Sequence, residues 1–236
     1  MSWGRNAVIA LAFASALSAC SGSEPATVKR PTPTVTPTST ATTPAGEQLQ
    51  ALAQAGLRAS YRATYLVRQD RKGHRADWRV AHTPAALRID VVTHDQTATL
   101  IVGPKGAFSC ARSGHRRACF LVAKPGRPVP APFNHAPQAL FTSDLKSLAE
   151  HAGSYDVAAV ASSAAGGRAG DSCFSIRATS SAPKPQVTTG VYCFAPSGLL
   201  TAIRFPTGST VRLVSSRMAP QPASVFRPYS SPTPIP

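Results

Sequence analysis

From Tyr61 onward the chain alternates apolar and polar residues in short runs, and each run ends in a turn sequence. Tyr61, Ala63, Tyr65 and Val67 fall on one side of an extended segment; Arg62, Thr64, Leu66 and Arg68 fall on the other. Successive side chains of a strand point to opposite faces, so this pattern predicts one covered face and one open face. The pattern recurs where Trp78 and Val80 alternate with Arg79, and where Leu87, Ile89 and Val91 alternate with Arg88 and Asp90. Residues 97–102, 106–112 and 119–122 form further short runs. The breaks at Lys72-Gly73, Thr83-Pro84, His94-Asp95, Gly103-Pro104-Lys105-Gly106 and Ser113-Gly114 are turn sequences. Parallel strands need crossovers of a dozen or more residues, and these intervals leave no room for them. An antiparallel meander is therefore expected, not a βαβ arrangement.

Two helices interrupt the strands. Residues 47–58 have helical spacing in Leu49, Leu52 and Ala53, with Gly56 as the expected stop. Pro125 to Pro137 holds five of the 22 prolines and reads as a long crossing segment. A second helix follows it, with Thr142 or Ser143 as its cap and Leu145, Leu148 and Ala149 facing inward. Strands at about 155–162, 172–178, 188–195, 199–205 and 209–217 complete a mainly β (α+β) domain.

The chain has five cysteines. Cys110 and Cys119 flank a basic hairpin loop, and Cys173 and Cys193 lie in successive strands of one hairpin. Facing residues of neighbouring strands are within disulfide reach, so the expected pairs are Cys110–Cys119 and Cys173–Cys193. That leaves Cys20. It follows Arg5, an apolar run from Ala7 to Ala14, and Leu17-Ser18-Ala19. A positive stretch, a short apolar stretch and a small-residue site make an export signal over 1–19. Leu17-Ser18-Ala19-Cys20 resembles the lipobox of bacterial lipoproteins. That resemblance implies a diacylglyceryl group on Cys20, cleavage before it, and a place at the extracytoplasmic face of the cell membrane. Two or three acyl chains hold a protein stably, at about 0.8 kcal/mol per buried CH₂. Residues 20–46 then form a Pro/Thr-rich linker, which favours extended states. The folded domain is expected over 47–219, with a Pro/Ser-rich tail over 220–236.

The element order resembles the lipoprotein-carrier superfamily that includes LolA/LolB and the LppX/LprG-type lipoproteins. The resemblance also rests on the late hairpin Tyr192-Cys193-Phe194-Ala195-Pro196-Ser197-Gly198-Leu199-Leu200 and on Val225-Phe226-Arg227-Pro228. It implies a curved antiparallel sheet, an open half-barrel, with a few helices on its concave side. It also implies a lipid or acyl chain held in a cavity there. Candidate lining residues are Tyr65, Val67, Trp78, Val80, Leu87, Ile89, Leu100 and Val102, with Leu145 and Leu148 from the second helix. The two cysteine pairs depart from the carrier pattern. Alternation identifies the covered face and leaves open whether that face lines a cavity or a filled core.

Little else points to chemistry. The six histidines include no pair four residues apart, and no Gly-x-Ser-x-Gly elbow occurs. Cys110, His115 and Cys119 lack a fourth metal ligand, and the adjacent Arg112, Arg116 and Arg117 repel a cation. No enzyme activity, cofactor or metal is expected. The formal charge of +15 favours anionic partners; outside a cell these are phospholipid headgroups or envelope polymers, not nucleic acid. Arg71, Lys72, Arg75, Arg116 and Arg117, in two basic clusters, are the candidates for that contact. Two functions remain for an expected monomer. One is a membrane-anchored, non-enzymatic carrier or binder of a hydrophobic ligand. The other is an envelope interaction protein with a filled core and basic loops.

Overall fold

A computed structural model of the chain describes residues 43–69, 74–94, 96–134 and 138–234. The signal segment, Cys20, most of the linker, Arg71 and Lys72 lie outside the described residues. Helix α1 (Pro44–Arg58) starts three residues before the expected 47. The Thr43 hydroxyl oxygen accepts the Gly46 N–H at 3.1 Å, and Pro44, in the first turn, has no donor to satisfy. The helix also continues past Gly56. That glycine serves close packing, not termination: a Cβ there would lie 2.5 Å from the Gly198 carbonyl oxygen.

The sheet comprises β1 (Tyr61–Gln69), β2 (His74–Thr83), β3 (Ala86–Thr93), β4 (Gln96–Gly103), β5 (Gly106–Ser113), β6 (Arg116–Ala123), β7 (Tyr155–Val160), β8 (Ser172–Ala178), β9 (Gly190–Phe194), β10 (Leu200–Arg204), β11 (Thr210–Met218) and a short β12 (Thr233–Pro234). Its spatial order is β12-β6-β5-β4-β3-β2-β1-β11-β10-β9-β8-β7. Two meanders, β1–β6 and β7–β11, are joined where β1 pairs with β11, from Tyr61 opposite Met218 to Arg68 opposite Thr210. The eleven long strands are antiparallel and do not close into a barrel, and β12 runs parallel to β6. The result is a curved, mainly β sheet with helices on its concave face.

This order explains the crossing segment. Strand β6 lies towards one edge and β7 is the other edge, so residues 124–154 must carry the chain back across a face of the sheet. They include a π-helical turn, Leu140–Asp144, followed by α2 (Leu145–His151). The expected cap of α2 is corrected here. Thr142 and Ser143 lie inside the helical run: the Thr142 hydroxyl donates to Asn134 Oδ1 at 2.6 Å, and the Ser143 hydroxyl donates to the Ala139 carbonyl at 3.3 Å. The run begins early enough to leave neither at its N-terminus.

The core forms between this crossing, α1 and the sheet. Leu49 and Ala53 of α1 and Phe141, Leu145, Leu148 and Ala149 pack on Tyr65, Val67, Trp78, Val80, Leu87 and Ile89. A fully buried Leu or Phe stabilises by roughly 1.5–3 kcal/mol. Gln50 and Gln54 each donate a side-chain N–H to the Ala149 carbonyl at 3.1 Å, which ties α1 to the last turn of α2.

Both expected disulfides are present. Cys110–Cys119 joins directly opposite residues of β5 and β6, with Cα atoms 4.0 Å apart. Cys173–Cys193 joins opposite residues of β8 and β9 at 4.1 Å. The tail expected to begin at 220 lies on the sheet. Ala219 N–H donates to Ser60 O, Arg62 bonds Gln221, and Arg88 donates to Val225 O at 3.1 Å. Through Val225 and Phe226 the tail covers part of the face that carries no helix, and β12 then adds a strand at the β6 edge. Its Pro- and Ser-rich composition suits an extended strap without its own helix or hairpin.

Candidate functional site

The sheet's alternating turns sort its two ends. The β1–β2, β3–β4 and β5–β6 turns lie at one end, and the β2–β3 and β4–β5 turns lie at the other. A cleft of about 1020 Å³ opens at the second end, on the helix-covered face. The β2–β3 turn is fixed by Thr83, whose hydroxyl accepts the Ala86 N–H at 3.0 Å. The β4–β5 turn closes on Gly106, whose φ of +112° is a conformation that glycine adopts without strain. Opposite these turns lie residues 124–129, the exposed side of α2, and Pro183–Pro185.

The floor of the cleft is apolar. Leu57, Leu87, Val102, Ala107, Val129 and Phe141 contribute to it, and Phe141 is anchored below by Tyr65, with ring centroids 5.3 Å apart. The rim is polar and mainly cationic: Lys124, Arg127, Lys146 and Lys184 stand against the single carboxylate of Glu150. The exposed Lys146–Glu150 pair, at 3.9 Å, contributes little. His82 also lines the cleft. Its Nδ1 lies 2.8 Å from the Ala59 carbonyl. A carbonyl only accepts, so Nδ1 carries the proton and Nε2 is left as an acceptor. Burial lowers the His82 pKa, and the bond to Ala59 opposes this; the ring is neutral at pH 7. It stacks on Tyr61 with centroids 5.1 Å apart.

The cleft takes in only part of the set expected from sequence. Tyr65, Val67, Trp78, Val80, Leu87, Ile89, Leu145 and Leu148 come together in the core, Leu100 is buried beside Ile89 on the same face, and Val102 is half-buried. Of these ten, Leu87 and Val102 reach the cleft. The Tyr65 hydroxyl is spent on the Leu200 carbonyl, at 3.0 Å, inside that core. Sequence reasoning missed Leu57, His82, Val129 and Phe141. Phe141 sits four residues before Leu145 on the same helical run, so helical spacing extended one turn upstream would have found it.

Arg75, Arg116 and Arg117 are exposed near the hairpin end of the sheet, away from the cleft. Elsewhere, Asp144 is buried, and burial pushes its carboxyl to about 6 against a Ser143 hydroxyl and the Thr188 backbone N–H. Among the described residues no group of three His, Cys, Asp or Glu is arranged to hold a metal ion. Among them, too, no helix is long and apolar enough to cross a membrane.

No protein-family model and no curated protein sequence matches the chain. A solved structure with a similar course is an uncharacterized conserved protein from Thermus thermophilus. It shares 9% identity at a TM-score of 0.47, over 80% of this chain and 97% of that one.

Proposed function

We propose that the chain is an extracytoplasmic lipoprotein, tethered through Cys20, whose domain binds an amphiphile with an acyl chain and an anionic head. The carrying observation is the cleft at the open end of the helix-covered face, with its apolar floor and cationic rim. Its volume is at the upper end of the range typical of small-molecule sites, which are mostly apolar with a few placed polar groups. The acyl chain lies on Leu57, Leu87, Val102 and Phe141. The head meets Lys124, Arg127, Lys146 or Lys184. The role is binding, not catalysis. Export is supported by the lipobox-like Leu17–Cys20 and by two disulfides, which persist in oxidising compartments.

The test is native mass spectrometry with lipid extraction on residues 43–236, produced by export. A co-purifying lipid, or uptake of a fluorescent fatty acid, is expected. Val102→Trp fills the floor and should weaken uptake by about tenfold, equivalent to ~1.4 kcal/mol. A bare mass with no uptake would refute the proposal and leave an envelope interaction protein with a filled core.

A further inference from the structure

The opposite face of the sheet carries a second feature, independent of the cleft. The ladder places Arg88 of β3 opposite Ala81 of β2, Ala81 opposite Arg62 of β1, and Arg62 opposite Arg217 of β11. These four positions form one row across four strands. At a strand spacing of about 4.8 Å, the row spans roughly 14 Å between its outer backbones. The neighbouring row is Asp90, Arg79, Thr64 and Ser215. Both rows border a groove of about 610 Å³, walled on one side by Val225 of the tail strap. Small residues make its floor and arginines its sides.

The charges in this groove are unbalanced. Its one acid, Asp90, is already engaged by the Arg88 guanidinium at 3.0 and 3.1 Å and by the Thr99 hydroxyl at 2.6 Å. Arg62 is held by Gln221, which is neutral. Among the described residues, the side chains of Arg79 and Arg217 are exposed and have no hydrogen-bond or ion-pair partner. Arg62 and Arg217 face each other directly, an arrangement that destabilises a sheet unless something neutralises it. Two more such pairs, Arg68 with Arg75 and Arg112 with Arg117, lie on the same face. The chain holds 19 arginines against six lysines, and the planar guanidinium fork pairs bidentately with phosphate and carboxylate.

We infer that this row is a docking groove for an extended oxyanion polymer, a chain bearing phosphate or carboxylate groups, laid across the strands from Arg88 to Arg217. A flexible chain can enter a groove recessed beside the strap.

The experiment is fluorescence-anisotropy titration of the full chain, in nonionic detergent, with labelled polyphosphate and labelled polyglutamate. Binding of either polymer is expected. Arg79→Glu with Arg217→Glu should weaken it on the order of tenfold or more, and Arg79→Gln with Arg217→Gln should weaken it less. The log–log salt slope should fall by about 1.4 for two lost contacts. The control, Arg177→Glu on β8, three strands beyond β11 in the sheet and exposed, should leave binding within about twofold. Both groove arginines are exposed; Arg217→Glu relieves the repulsion with Arg62 and Arg79→Glu sets a carboxylate opposite Asp90, two small effects of opposite sign, so the melting temperature should move by no more than a few degrees. Failure to bind either polymer overturns the inference, as does an equal loss from the β8 control. Retention on phosphatidylglycerol-doped micelles without polymer binding also overturns it and assigns the face to a membrane. Fatty-acid uptake in the cleft is read separately, so either proposal can fail alone.

Discussion

Asp144→Asn tests whether the core carries a charge it would be more stable without. The residue is 4% exposed, in the turn that leads into α2. Burial lifts its carboxyl from the ordinary 3.8 to about 6, while the Ser143 hydroxyl and the Thr188 N–H hold it back. A folded-state value above the unfolded one means that the folded protein binds the proton more tightly. Stability from this group is then fully present below about pH 3.8 and is lost as pH rises through 6. The gap corresponds to roughly 3 kcal/mol at pH 7.5. Asparagine keeps the shape and one acceptor but cannot ionise. It also gives up the stronger hydrogen bonds of a carboxylate, so the expected gain is about 1–3 kcal/mol at pH 7.5 and close to zero at pH 4. His82 acts in the opposite direction. Its lowered pKa costs stability as pH falls below about 6.5, but it is common to both proteins and cancels in the difference. Urea unfolding of wild type and variant at pH 4, 5, 6 and 7.5 gives the midpoint differences. A difference that does not grow with pH, or a variant weaker at pH 7.5, would refute the reasoning.

Gly56→Ala should destabilise by about 1–3 kcal/mol, because the new methyl group would lie 2.5 Å from the Gly198 carbonyl oxygen, which is backbone and cannot swing aside; urea midpoints check this. Replacing Cys173 and Cys193 by alanine should cost roughly 3 kcal/mol through the freed 20-residue separation. An unchanged midpoint in the oxidised and reduced wild type would show that this bridge constrains nothing.

Much of the sheet was legible locally. Alternation from Tyr61 to Val67 and turn pairs such as Thr83-Pro84 specify strands because a strand's two faces meet different media. The disulfides followed from the same reading, since hairpin neighbours place opposite cysteines within reach. The cleft was less legible. Leu87 and Ile89 carry the same pattern, yet Leu87 reaches the cleft and Ile89 is sealed in the core. What lies above each depends on where residues 124–154 cross the sheet, and no local spacing encodes that path. The course of the tail was illegible for a related reason: Pro- and Ser-rich sequence carries no strand or helix pattern, and Arg62 and Arg88 give it a surface to lie on.

The sequence alone determined the strands, which face of each is covered, both cysteine pairs and the excess of positive charge. These depend on interactions within a hairpin or along a single strand. The tertiary structure alone decided which apolar residues border open space, and it alone brought Arg217 beside Arg62. Those two lie far apart in the chain and meet only because β11 returns to pair with β1. A charge is a property of one residue; a row of charges is a property of the register that aligns them.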